Sequence, residues 1–150
     1  KIQKTNFPKI LEVRGEVYIS KKDINIPMHR LFKPKIKANE DNIEEVKQAS
    51  EKLRTLLDVD GVLLTLSEKG ICINTKNAFL HTPAFKRNII DVSGAGDTVV
   101  SVASLCLASK MDYTQLSILS TLAGGIVCEE VGVVPINKDK LLTEAKKYIN

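Results

Sequence analysis

The sequence predicts an α/β fold, a mainly parallel sheet with helices on both faces. Three observations predict it. A helical pattern over residues 41–57 runs directly into the continuous apolar stretch Gly61-Val62-Leu63-Leu64-Thr65-Leu66, the mark of a strand covered on both faces. A helix feeding straight into such a strand is the order from which parallel sheets are built. The run Val99 to Ala108 is apolar nearly all round, which marks a central helix.

Composition agrees. The chain has 150 residues, 43% of them hydrophobic, ordinary values for one globular domain with a real core. No apolar run is long enough to cross a bilayer, and the lysine-rich start lacks the apolar core of a signal peptide, so a cytoplasmic location is expected. Cys72, Cys106 and Cys128 are odd in number, far apart and each in an apolar stretch. They read as buried, reduced core residues rather than disulfide partners or zinc ligands. His29 and His81 have no neighbouring ligand, so no metal site is expected at either. The first residue is Lys1 rather than Met, which suggests a piece of a longer or processed chain.

Charge is uneven. Residues 1–37 carry ten Lys and Arg against three Asp and Glu, a net of +7, while the rest nets −3. Such a shift is expected at a boundary between pieces of different role; as a partner surface, the basic segment reads as a solvated face rather than a nucleic-acid contact.

In chain order, Lys9 to Ile19 alternates apolar and charged residues about Gly15, the period of a half-buried strand or hairpin. Leu31-Phe32-Lys33-Pro34 reads as a short strand stopped by proline. Asp41 or Asn42 caps the first helix, with Glu44 and Glu45 in its first turn and Ile43, Val46, Ala49, Leu53, Leu56 and Leu57 as its buried stripe. After the strand at 61–66, Ser67 to Gly70 turns the chain. Ile71–Thr75 and Ala78–His81 pair as a hairpin around Lys76-Asn77. Pro83 to Asn88 is loop. In the helix that follows, Val99, Val102, Ala103, Leu105, Cys106 and Leu107 are core candidates. Asp112 caps the next helix, which faces Leu116, Leu119, Ala123 and Ile126 inward. Asn137 caps the last, bearing Leu141, Leu142, Ala145 and Ile149.

The chemistry concentrates in Asp91-Val92-Ser93-Gly94-Ala95-Gly96-Asp97-Thr98. Small residues leading into a helix leave backbone N–H groups unpaired at the positive end of its dipole, so the amides of Ala95, Gly96 and Asp97 form a candidate phosphate site. A carboxylate at Asp97 repels that phosphate. It is well placed to take a proton from a hydroxyl attacking phosphorus, or else Asp97 and Thr98 simply cap the helix.

From Asp91 to Pro135 the chain resembles the second signature of the ribokinase-like (PfkB) carbohydrate kinases, most of all the heptose-phosphate kinases of lipopolysaccharide-core synthesis. Leu122-Ala123-Gly124-Gly125-Ile126-Val127 and Val131-Gly132-Val133 resemble their next helices. The resemblance implies the C-terminal half of a ribokinase-like domain, with Asp97 as catalytic base and Gly94, Ala95 and Gly96 as anion hole. It implies ATP and magnesium as cofactors and a sugar-phosphate hydroxyl as acceptor. It also implies nucleotide contacts from Thr65, Ser67 and Gly70, and from Thr121, Gly124 and Gly125 near adenine; helix packing through the two glycines is an equal reading of those residues. The family often has Asn where Thr121 stands. Its Asn-x-x-Glu motif, which organises magnesium, falls on Lys35 and Ala38, and neither has a side-chain oxygen for a metal.

Residues 1–23 resemble a fragment of the adenylation domain of NAD-dependent DNA ligases, through Leu-Glu-Val-Arg-Gly-Glu-Val-Tyr at 11–18. That family's nucleophilic Lys-x-Asp-Gly is absent, so ligase chemistry is not expected. Two pieces follow: a basic segment, 1–28, and a partial kinase domain, 29–150. The family domain is about twice this length, so the sugar pocket, hinge and lid of its N-terminal half are not expected here. The alternative to an active kinase is a non-catalytic remnant with at most a nucleotide half-site. An open sheet edge is the expected route to a homo-oligomer.

Overall fold

The computed structural model describes the backbone of residues 9–13 and 16–20, and residues 38–39 and 41–149 in full. The strand expected at Leu31–Pro34, and Lys35, lie outside the described residues. Five strands form one sheet in the order β1 (Lys9–Val13), β2 (Glu16–Ser20), β3 (Gly61–Thr65), β4 (Ile71–Thr75) and β5 (Phe79–Thr82). The helices are α1 (Ile43–Leu57), α2 (Ala95–Ala108), α3 (Tyr113–Val127) and α4 (Lys138–Ala145).

The sheet corrects one expectation. All four pairings among the described strands are antiparallel, with Leu63 opposite Ile73 and Ile73 opposite Leu80. For β3–β4 and β4–β5 the reason lies in the connections. Parallel neighbours need a crossover of a dozen or more residues, whereas only residues 66–70 join β3 to β4 and only 76–78 join β4 to β5. The β4–β5 hairpin turns at Lys76-Asn77, and Thr75 N–H donates to the Ala78 carbonyl at 2.8 Å.

Helices do cover both faces. Leu63, Ile71 and Ile73 meet Val99, Val102, Ala103 and Cys106 of α2 and Leu116 and Ala123 of α3. Val62, Leu64 and Cys72 point the other way, onto Val46 and Leu53 of α1. The apolar run of β3 thus serves two cores by strict alternation. Burial pushes the Cys72 thiol up to about 12, and Cys106 and Cys128 are also buried and free.

Caps set the helix starts. Asn42 accepts from the amides of Glu44 and Glu45, Asp112 from that of Gln115, and Asn137 from that of Lys140, each satisfying donors that the first turn leaves open. Two residues read as part of the core are instead exposed, Leu56 (64%) and Leu105 (67%), as is Leu142 (50%) on α4. Helical spacing defines a stripe, but the neighbouring layer decides how wide a stripe is covered.

Candidate functional site

The helix α2 begins in the glycine-rich turn. Gly94 caps it at φ 77° with no side-chain hydrogen bond, a left-handed conformation that favours glycine. A side chain there would also meet Val133 Cγ1 at 3.0 Å. Ala95 N–H donates to the Val92 carbonyl at 3.2 Å, and Thr98 N–H to that of Gly94 at 3.0 Å. The expected trio of free amides is therefore a pair: Ala95 is occupied by the turn itself, while Gly96 and Asp97 have no acceptor among the described residues. A Cβ built on Gly96 meets nothing within 4 Å, so the space above the amide pair is open. The Asp97 side chain is exposed beside it.

The loop leading into this turn is stitched to the far end of α3. Ile90 and Asp91 N–H both donate to the Cys128 carbonyl, at 2.8 and 3.2 Å. The Asp91 carboxylate accepts from Ser93 N–H and from Gly132 N–H, each at 2.9 Å. Hydrogen bonds from Ser93, and then from Gly132, hold this carboxyl below its ordinary value. One side chain thereby joins the turn before α2 to the turn after α3.

Thr65, Ser67 and Gly70 lie at the end of the sheet from which the 83–94 segment also leaves. Gly70 sits at φ 91°, and a Cβ on it would stand 2.0 Å from the Thr82 carbonyl oxygen. Ser67 is exposed at the start of the 3₁₀ turn Ser67–Lys69. Lys69, a candidate extra positive charge, is engaged with Asp41. The His81 imidazole donates from Nε2 to the Lys69 carbonyl at 2.9 Å, because a carbonyl can only accept.

Of the second group of expected nucleotide contacts, Thr121 and Gly124 are buried and Gly125 is half-buried. Thr121 is buried, and its hydroxyl donates to the Ser117 carbonyl at 2.7 Å. A Cβ on Gly124 would meet Val99 Cγ2 at 2.6 Å, and one on Gly125 would meet Arg87 Nε at 2.6 Å. These glycines let α2 and the Arg87 side chain approach α3 closely.

Arg87 is the residue that sequence reasoning missed. Its side chain is 6% exposed. Nη1 donates to Glu129 Oε1 at 3.1 Å and to Glu144 Oε1 at 3.3 Å, and Nη2 is paired with Glu144 Oε2. Burial works against its charge, and the bonds to Glu144 and Glu129 more than offset that, holding its pKa above the ordinary value. Lys140 Nζ donates to Glu129 Oε2 at 2.6 Å. That bond is the largest influence holding the Glu129 carboxyl below its ordinary value, with Arg87 adding to it.

Helices packed on both faces of a sheet, with two free amides and an exposed carboxylate at the glycine-rich turn that opens α2, define an α/β protein. A model of the pfkB family carbohydrate kinases matches residues 17–140, and the chain belongs to that family. It is 38% identical over 97 residues to the bifunctional protein HldE of Chromohalobacter salexigens, covering 64% of this chain and 20% of that protein. To HldE of Methylobacillus flagellatus it is 40% identical over 96 residues, again 64% and 20%. The chain thus spans about a fifth of the length of these curated relatives. Among solved structures it is similar to a ribokinase from Thermotoga maritima (TM-score 0.62, 26% identity, 71% of this chain and 37% of that one). The fold is also that of Arabidopsis thaliana ribokinase complexed with ribose and ATP (TM-score 0.65, 20% identity, 71% and 35%). Among the described residues no helix is long and apolar enough to cross a membrane.

Proposed function

We propose that this chain carries the phosphoryl-transfer centre of an ATP-dependent kinase acting on a sugar or sugar-phosphate hydroxyl, of the D-glycero-β-D-manno-heptose 7-phosphate kinase type. One observation carries the reading: the free amides of Gly96 and Asp97 under open space, with the Asp97 carboxylate at their edge. The HldE relatives, and the resemblance of Asp91–Pro135 to heptose-phosphate kinases, support that acceptor.

In this reading the two amides and the α2 dipole hold the transferring phosphate and stabilise the charge spread over its oxygens. Asp97 makes no hydrogen bond or ion pair through its carboxylate among the described residues. It is free to orient the attacking hydroxyl and accept its proton as the bond to phosphorus forms. Thr65 and Ser67 are the candidates to contact the nucleotide phosphates. These residues are the ones that would hold ATP in the proposal. Magnesium has no comparable donor set: among the described residues no three His, Cys, Asp or Glu side chains converge, and Ala38 has no oxygen to offer through its side chain. In the proposal the metal enters with the nucleotide phosphates.

A second reading has an observation of its own. The chain corresponds to about a third of the ribokinases it resembles, so a non-catalytic piece that keeps only the phosphate turn is the competing proposal. Two measurements separate them. Magnesium-ATP is titrated into the purified chain, and phosphorylation of heptose 7-phosphate is then assayed with and without Asp97→Asn. Turnover that falls by about 10²–10⁴-fold in the variant supports the kinase. Binding without turnover supports the half-site, and turnover unchanged by Asp97→Asn removes Asp97 as the base.

A further inference from the structure

Between the loop and α4 lies a partly buried charge cluster that the proposed chemistry does not use. Arg87 enters from the loop after β5, Glu129 follows the last turn of α3, and Glu144 stands on α4. The guanidinium reaches both carboxylates, and Lys140 closes the far side of Glu129. Its stem crosses the bare surface of Gly125. Its Nε is buried without a hydrogen-bond partner.

The geometry points to Arg87 as the positioning residue of the phosphate turn, a role that rests on the kinase reading above. Three residues beyond it the chain meets Cys128, through the amides of Ile90 and Asp91, and then Gly132, through the Asp91 carboxylate. These contacts fix where Gly94 and the amides of Gly96 and Asp97 sit. They hold only while the 87–91 segment stays against the end of α3, and Arg87 is the side chain that holds it there. An arginine suits the task because its planar fork serves two carboxylates at once; a lysine ammonium is a point charge without that geometry.

The test compares the wild-type chain with Arg87→Lys, which keeps the charge and most of the stem over Gly125. Glu144→Gln carries the same measurements should Arg87→Lys fail to fold. Amide hydrogen exchange is followed residue by residue, and magnesium-ATP and adenosine are titrated separately. Exchange at Ile90, Asp91 and Gly132 is expected to quicken at least tenfold in the variant, with α1 and β3 unchanged. The affinity for magnesium-ATP is expected to fall about tenfold or more, and that for adenosine, which has no phosphate, to stay. Unchanged exchange in the loop overturns the proposal. So does exchange that quickens throughout the chain, the mark of a merely structural ion pair. So does a loosened loop with wild-type affinity for magnesium-ATP. If wild-type chain binds no magnesium-ATP, the kinase reading fails separately, and the exchange pattern alone then upholds or overturns the role of Arg87 in holding the loop.

Discussion

Replacing Gly96 by alanine should move stability and ligand affinity in opposite directions. Gly96 lies in the first turn of α2 at a backbone conformation open to any residue, since the positive-φ glycines are Gly70, Gly94 and Gly132. Its added Cβ meets nothing within 4 Å. Alanine is preferred to glycine in a helix by about 0.5–1 kcal/mol, and for a domain of this size that raises the melting temperature by roughly 1–4 °C. The methyl group, however, stands where a phosphate must approach the amides. A hydrogen bond to a charged group contributes about 1.5–3 kcal/mol, so losing one should weaken magnesium-ATP binding by roughly 10–150-fold. Thermal melting without ligand and calorimetric titration with it read the two effects on one sample. A Gly96→Ala chain that melts higher and still binds magnesium-ATP as the wild type does would refute the placement of the phosphate. A variant that melts lower would refute the claim that the space above Gly96 is open.

Two other expectations are independent of the ligand. Gly70→Ala should destabilise the chain severely, by about 3 kcal/mol or more, because strain at positive φ adds to a Cβ only 2.0 Å from the Thr82 carbonyl; chemical denaturation measures it, and a loss under about 1 kcal/mol would show that the turn can open cheaply. Acid should weaken the Arg87 cluster in a defined window. The folded Glu129 carboxyl lies below its ordinary value, so its contribution is complete above about pH 4.3 and is lost as pH falls through the lower folded value. The melting temperature should therefore drop more steeply in the wild type than in Glu129→Gln as pH falls below about 4.3, and parallel curves would contradict this.

How much of this was legible in the sequence depended on how local the signal was. The hairpin at Lys76-Asn77 and the caps Asp112 and Asn137 are encoded within four or five residues and stand where their patterns placed them, and Asn42 is the one of two candidates, Asp41 or Asn42, that caps α1. Burial of β3 on both faces was also legible. Strand direction was legible only at the β4–β5 hairpin; for β3 the apolar run reports that two layers cover it and says nothing of which way its neighbours travel, and the short connection 66–70 was the signal for its pairing with β4. At the candidate site, the glycine-rich turn announced the amides but not that Val92 would claim that of Ala95. Arg87 had no local signature at all. Its partners Glu129 and Glu144 are 42 and 57 residues away, and only the packing of α3 and α4 brings them together.

The alternation along β3 has a consequence for how this protein can vary. Leu63 belongs to the core beneath α2 and α3, while Val62 and Leu64 belong to the core beneath α1, so a single backbone acts as a partition between two compartments. Substitutions around Val46 and Leu53 need only be accommodated on their own side. Repacking there can proceed in steps whose effects on stability add to those of changes near Val99 or Leu116, as for separate sites with no shared partner. Drift in the α1 compartment is thereby screened from the turn at Gly94–Asp97, which is free to keep its geometry while the opposite face of the sheet changes its residues.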